Sequence, residues 1–357
     1  MQAVCNTSQQ SDNAKPFRIG QPFRFHIVAH VNPPAQTKLP RRTSIAQVIL
    51  ASRERLAALL LDADNPHFQT EVIMLAAQLQ SACSRNRNVA LAMTLLAQDT
   101  QYATRHAVDV AVVVELALRR LGQNESERRS VIAAALTMNI GMQTLHEQLD
   151  QQSGPLTAEQ RQTMQSHPLV SMDELRGRGV SDTVWLNCVL QHHETPDGRG
   201  YPNKLKGDKL RFEARLLGLA DRYCALLSKR AWRAAKSVDS ALAQSISPLS
   251  AGVDDKLDRL FMETLGFYPP GSVVQLYSGE IGVVKRPGEH ELVPVVQALF
   301  DAHMQPLPAP VERLNGPPDG GILNVFETEF LQVPIVPASI WGDDAYLPEP
   351  QPTQEQE

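Results

Sequence analysis

The chain has 357 residues, with 34 basic against 39 acidic side chains and a net charge of -5. Its 43% hydrophobic and 20% charged content excludes a fibrous or wholly disordered protein, and its length suits two or three structural units. The mild acidity gives no global reason to bind DNA, RNA or an anionic membrane, while leaving room for one local basic pocket. Cys5, Cys83, Cys188 and Cys224 form no CxxC and no scaffold spacing, which points to a reducing compartment, the cytoplasm. The opening MQAVCNTSQQSDNAKP has no apolar signal region. The most apolar helical stretch, 108–118, contains Asp109 and Glu115 and falls short of the roughly 20 residues a bilayer requires.

In chain order, residues 1–43 read as a flexible N-terminal segment, with FRFHIVAHV as a short strand and NPPAQTKLPRR as a connector. Residues 44–100 read as a helical extension. Ser44 can cap SIAQVILASRERLAALLLD, whose apolar three and four residue spacing predicts a helix of about seventeen residues. Two more helices are predicted near 69–84 and 87–98, and their apolar stripes suit a regulatory or dimerising layer, so a homodimer is one expectation. Residues 101–268 continue in helical periods, broken at Gly122, Gly141, Gly154 to Pro155 and Pro196 to Pro202. Residues 269–305 alternate valine with polar positions between SGE and RPGEH turns, which predicts a small β module. Residues 306–357 read as a proline-rich linker and tail, with one candidate strand in ILNVFETEFLQVPIV.

The densest chemical signal is QHHETPDGRGYP, Gln191 to Pro202, after the apolar run VWLNCVL. Two imidazoles in succession at a helix end diverge by about 100° around its axis, so they can serve two metals, or one metal and one substrate oxygen. The plainer alternative is that one histidine caps the helix and the other packs beneath the loop. The following DGRGYP combines glycines that permit close backbone approach with an aromatic ring suited to stacking. Cys188 and Cys224 read as small core residues rather than nucleophiles. No GxGxxG, GxxxxGK[ST] or GxSxG is present.

HHExxDGxGYP, followed by ARLLGLADRYCALLSKR with Asp221, resembles the HD-GYP branch of the HD phosphohydrolase superfamily over roughly residues 101–266. The resemblance implies a mainly α fold: an HD-type helical bundle with an N-terminal helical extension and a C-terminal small β-rich module. It also implies hydrolysis of cyclic di-GMP, a bacterial second messenger, with iron, manganese or similar ions. Carried over residue by residue, the candidate metal ligands are His106, His167, His192, His193 and Asp221, which would converge on one pocket and could suit a single zinc, iron or manganese ion. Asp197, Gly198, Gly200, Tyr201 and Pro202 match the GYP loop completely and, with Lys206 and Arg215 as nearby cations for a nucleotide phosphate, are the candidate ligand-binding residues.

The superfamily signature itself is altered. LTMNIGM places Met138 where relatives have the histidine, Asn139 where they have the aspartate and Met142 where they have the lysine, while Tyr102 stands where some carry a glutamate ligand. Asn139 can coordinate through oxygen but cannot cancel the charge of two close cations. The expectation is therefore a degenerate HD-GYP domain in cyclic di-GMP signalling, binding the nucleotide or a partner such as a diguanylate cyclase domain, with weak or absent hydrolysis. The alternatives are a metal-dependent cyclic di-GMP phosphodiesterase acting through a metal-bound water, and a purely protein-binding scaffold.

Overall fold

Ser44 starts the first helix as its spacing predicts: its hydroxyl accepts from the Gln47 amide at 3.0 Å while its own amide donates to the Gln47 side chain at 3.0 Å. The computed structural model describes residues 42–97, 101–152, 154–229, 233–246, 255–288, 293–314, 321–327, 330–331 and 335–348. The expected N-terminal strand, nearly all of the flexible segment and the extreme C-terminal tail lie outside the described residues.

Three helices form the extension: α1 (Ile45–Leu61), α2 (Phe68–Arg85) and α3 (Arg87–Leu96). Asn86 separates the last two, and its side chain accepts from the amides of Asn88 and Val89. Then come α4 (Tyr102–Arg120), α5 (Glu125–Thr137), a 3-10 turn at Ile140–Met142, α6 (Gln143–Gln151), α7 (Ala158–Gly177), α8 (Thr183–Gln191), α9 (Phe212–Leu227), α10 (Val238–Ser245) and α11 (Asp255–Leu265). Helix α4 is apolar almost all round, VDVAVVVELAL, and is buried on nearly every face, which makes it the axis of the helical unit. A single apolar cluster includes residues of α1, α2, α3, α4, α5, α8, α9 and α11, so the extension shares its core with the rest of the helices.

That shared core contains an ion pair. Arg53 of α1 donates to Asp109 of α4 at 2.7 Å and to the carbonyl of Ala97 at 2.8 Å, and both charged side chains are almost wholly buried. Burial pushes the Asp109 pKa up, and Arg53 opposes that shift.

The C-terminal unit is an antiparallel sheet of β1 (Val273–Leu276), β2 (Ile281–Arg286), β3 (Val295–Phe300), β4 (Pro306–Leu314) and β5 (Ile322–Phe326), in the order β4-β3-β2-β1-β5. Alternate side chains go to opposite faces. Val273, Ile281 and Val283 pack with Leu96 of α3 and Trp341 of the short helix α12 (Ala338–Trp341), while Val274, Val284 and Val296 pack with Tyr268. Gly271, at φ +96°, makes the turn into β1, and a side chain there would collide with Ala92 of α3.

The sheet does not stop at residue 305, where composition suggested a linker. PLPAPVERL forms edge strand β4 despite three prolines, because an edge strand leaves half of its backbone groups outside the ladder. Arg313 and Glu280 tie β4 across the sheet, with Nη2 to Oε1 at 2.7 Å.

Removing Arg53 leaves Asp109 without its partner in the core. Arg53→Met is expected to cost about 3–5 kcal/mol in urea unfolding, and Arg53→Met with Asp109→Leu should recover most of that loss.

Candidate metal centre and GYP loop

Histidine orientation here begins with backbone carbonyls that the helices leave over. Pro168 lies inside α7 and has no N–H, so the carbonyl of Met164 four residues earlier receives no helical hydrogen bond. His167 Nδ1 donates to that carbonyl at 2.7 Å. His192 caps the end of α8, where carbonyls also lack helical partners, and its Nδ1 donates to the Val189 carbonyl at 2.7 Å. A carbonyl can only accept, so both histidines carry their proton on Nδ1 and present Nε2 as a lone pair. The two Nε2 atoms face each other at 3.2 Å.

His193 completes the group: ligand atoms of His167, His192 and His193 all lie within 4.8 Å of one another. Burial, followed by the neighbouring His192, lowers the His167 pKa to about 3, and burial also lowers those of His192 and His193. Three neutral imidazoles, two of them with Nε2 lone pairs turned toward each other, suit a divalent cation, and no proton competes with it near neutral pH.

His106 and Asp221 form the adjacent pair, with His106 Nε2 donating to Asp221 at 2.7 Å. Burial alone would raise the Asp221 pKa, but the His106 hydrogen bond and the neighbouring imidazoles hold it well below the usual carboxylate range. Gly218, one turn before Asp221 on α9, lets α9 close on the end of α8, because a side chain there would meet the His192 carbonyl at 2.1 Å. His106 Nδ1 is buried and has no hydrogen-bond partner among the described residues. The structure thus brings His106 against Asp221 and His167 against the histidine pair.

The LTMNIGM residues Met138 and Met142 take apolar positions. Met138 is fully buried within the main apolar cluster, and Met142 packs with Leu145, Leu149 and Met164. Asn139 is half-buried, and its carbonyl closes the 3-10 turn by accepting from the Met142 amide at 3.0 Å. Gly141 presses against α7, where its amide donates to Ser171 Oγ at 3.0 Å.

The GYP loop folds onto the histidines. Glu194 is buried and accepts from the amides of Asn203 at 2.5 Å and Leu205 at 3.0 Å. A side chain on Gly200 would collide with Glu194, Thr195 and the His193 carbonyl. Tyr201 donates its amide to that carbonyl at 3.2 Å and stacks its ring on the His193 imidazole, with centroids 4.7 Å apart. Its peptide bond to Pro202 is cis. Asp197 spends its carboxylate within the loop, on Thr195 Oγ1 at 2.7 Å and on the amide and guanidinium of Arg199, which lower its pKa to about 2. The Lys206 stem covers Gly198, and Arg215 lies over the Phe212 ring at 5.8 Å.

Two residues here had no assigned role at the sequence level. Glu194 was visible as the E of HHE, but only the folded loop shows what it holds. His146 of α6 is buried with its ring edge toward Tyr102, which itself stacks on His106, and no local spacing marks it.

Comparison with known proteins agrees with this arrangement. Residues 90–253 match the HD domain family. Over 243 residues the chain is 27% identical to the cyclic di-GMP phosphodiesterase PA4108 of Pseudomonas aeruginosa, covering 66% of this chain and 58% of that protein. Over 132 residues it is 34% identical to the cyclic di-GMP phosphodiesterase response regulator RpfG of Xanthomonas campestris pv. campestris, covering 37% of this chain and 35% of that one. The chain therefore spans about half the length of these relatives or less. Among solved structures, Bd1817, an HDG"Y"P protein from Bdellovibrio bacteriovorus, superposes with a TM-score of 0.52 at 16% identity, covering 61% of this chain and 70% of that one. The HD domain match covers a little under half of the chain and is consistent with the resemblance to HD-GYP proteins carried by HHExxDGxGYP. No helix among the described residues is long and apolar enough to cross a membrane.

Two outcomes follow for this centre. Pro168→Ala supplies an amide that competes with His167 for the Met164 carbonyl, and is expected to weaken metal affinity by about 10–100-fold in a competition titration. Protonation gives the second. The folded histidines hold pKa values below the unfolded 6.5, so as pH falls the unfolded chain takes up protons first. Stability present above pH 6.5 should be lost on the way down toward the folded value, about 3 for His167. Chelated protein unfolded in urea at stepped pH should lose up to about 1.4 kcal/mol per pH unit for each such histidine, and His167→Asn should make the slope shallower.

Proposed function

We propose that this protein acts in bacterial cyclic di-GMP signalling through a degenerate HD-GYP domain, binding the nucleotide or a signalling partner with weak or absent hydrolysis. The observation that carries the reading is the apolar packing of Met138 and Met142 where relatives carry an imidazole and a lysine. Neither thioether suits a hard divalent ion, and neither offers charge to a phosphate. The complete DGRGYP loop and the cyclic di-GMP phosphodiesterases among the relatives support the ligand class. Lys206 and Arg215 are the cations assigned to phosphate. Asp197, Gly198, Gly200 and Pro202 shape the loop, and Tyr201 props His193. The protein partner this reading favours is a domain that makes the nucleotide, such as a diguanylate cyclase domain.

A second reading, a metal-dependent phosphodiesterase, is favoured by the opposed Nε2 lone pairs of His167 and His192. In that reading His167, His192 and His193 hold an iron, manganese or zinc ion, which when bound supplies Lewis acidity to a phosphodiester. Asp221 contributes negative charge beside it, His106 holds that carboxylate in place, and Asn139 can offer only a neutral oxygen.

The deciding experiment is metal analysis of protein purified without added metal, beside cyclic di-GMP binding and hydrolysis with iron or manganese supplied anaerobically. Turnover is expected at least about 100-fold below that of an intact relative. Met138→His with Asn139→Asp should raise metal content. Wild-type turnover matching an intact relative would overturn the first reading and support the second, and the absence of both nucleotide binding and turnover would leave a protein-binding scaffold.

A further inference from the structure

A cleft of about 480 Å³ lies at the opposite end of α4 from His106. Arg119 is thirteen residues beyond that histidine, which places the cleft about 20 Å away along the helix. Its lining is Cys83, Ser84, Arg85, Asn86, Arg87, Leu116, Arg119 and Arg120, which includes four arginines and no acid.

The surrounding acids offset only part of this charge. Glu263 pairs with Arg120 through two hydrogen bonds at 2.9 and 3.1 Å. Asp344 lies 3.5 Å from Arg85 and is shared with Arg42. Arg87 donates to the Thr264 carbonyl, a neutral acceptor; Arg119 feels the charge of Glu115 one turn earlier on α4, a carboxylate that Arg128 already pairs with at 2.9 Å. The Nε atoms of Arg85 and Arg87 are buried and have no hydrogen-bond partner among the described residues. Burial, followed by the charge of Arg120, lowers the Arg87 pKa, which is the condition an incoming anion would relieve.

Four guanidinium groups around one cleft, of which Arg119 has no carboxylate within 4.0 Å among the described residues, favour a multiply charged anion over a monocarboxylate. Phosphate presents several acceptor oxygens to guanidinium forks, and Leu116 and Cys83 give the cleft an apolar wall for an organic moiety. The volume lies in the range of small-molecule sites. We propose that this cleft binds a small organic phosphate of nucleotide or sugar-phosphate size, at a site separate from the histidine centre.

The test is isothermal titration of the full chain with inorganic pyrophosphate, GTP and ribose 5-phosphate, in EDTA so that no metal at the histidine centre recruits the probe. At least one probe is expected to saturate at millimolar concentration or below, with affinity falling as salt rises. Arg119→Gln should weaken it about 3-fold, and the charge reversal Arg119→Glu about 10-fold or more, each checked for unchanged melting because Arg119 is exposed. His192→Ala should leave it intact. GTP binding above pyrophosphate assigns the apolar wall to a base, and equal affinities assign the site to phosphate alone. No saturation with any probe by about 10 mM, or equal affinity in Arg119→Glu and wild type, overturns the proposal.

Discussion

The buried pair of Arg53 and Asp109 is the constraint on which the register of the helical unit rests. It joins the first described helix to the central one, and the same guanidinium takes the Ala97 carbonyl just past the end of α3. Two charges removed from water tolerate little displacement, because the desolvation they have lost is offset only by close contact. Asp109 lies three residues from His106 on α4, so the contact that seats the extension also fixes the turn of helix bearing His106. This coupling is a physical reason for α1 to α3 to share one core with the HD helices.

The histidine centre depends on a different economy. Pro168 and the end of α8 each leave a carbonyl without a helical partner, and each such carbonyl is taken by an imidazole Nδ1. Backbone interruptions thereby become orienting groups, and the cost of a proline within a helix is partly offset by the hydrogen bond it makes available. The result is a pair of lone pairs at 3.2 Å, an arrangement that repels itself until a cation or a proton lies between them. Burial disfavours the proton, so the geometry is better suited to a metal than to a hydrogen-bonded polar core.

The elements built on local periodicity were legible from sequence. Ser44, the three extension helices and the valine-rich hairpins follow from spacing and caps, because those signals operate within a few residues. The histidines were legible through the long HHExxDGxGYP resemblance rather than through spacing. Arg53 was not, since nothing local separates it from Arg55 on the same helix, and it is marked only by a partner 56 residues away. Strand β4 was misread because its prolines resemble a linker until one knows that the strand lies at an edge. His146 was missed for the reason Arg53 was: its neighbour Tyr102 belongs to another helix.

The loop changes meaning once its contacts are visible. From sequence, complete DGRGYP beside a lost signature suggested that nucleotide recognition had outlasted catalysis. In the structure one face of Tyr201 is already occupied by His193, Gly200 admits the His193 carbonyl, and Asp197 is committed to Thr195 and Arg199. These residues would be needed to hold the histidine centre whether or not a base ever stacks there. Retention of the motif therefore weighs first toward a preserved centre, and toward nucleotide binding only through the groups the loop leaves exposed, chiefly Lys206. A protein that had kept the loop solely as a partner surface would have no physical need for imidazoles held neutral and turned inward beneath it.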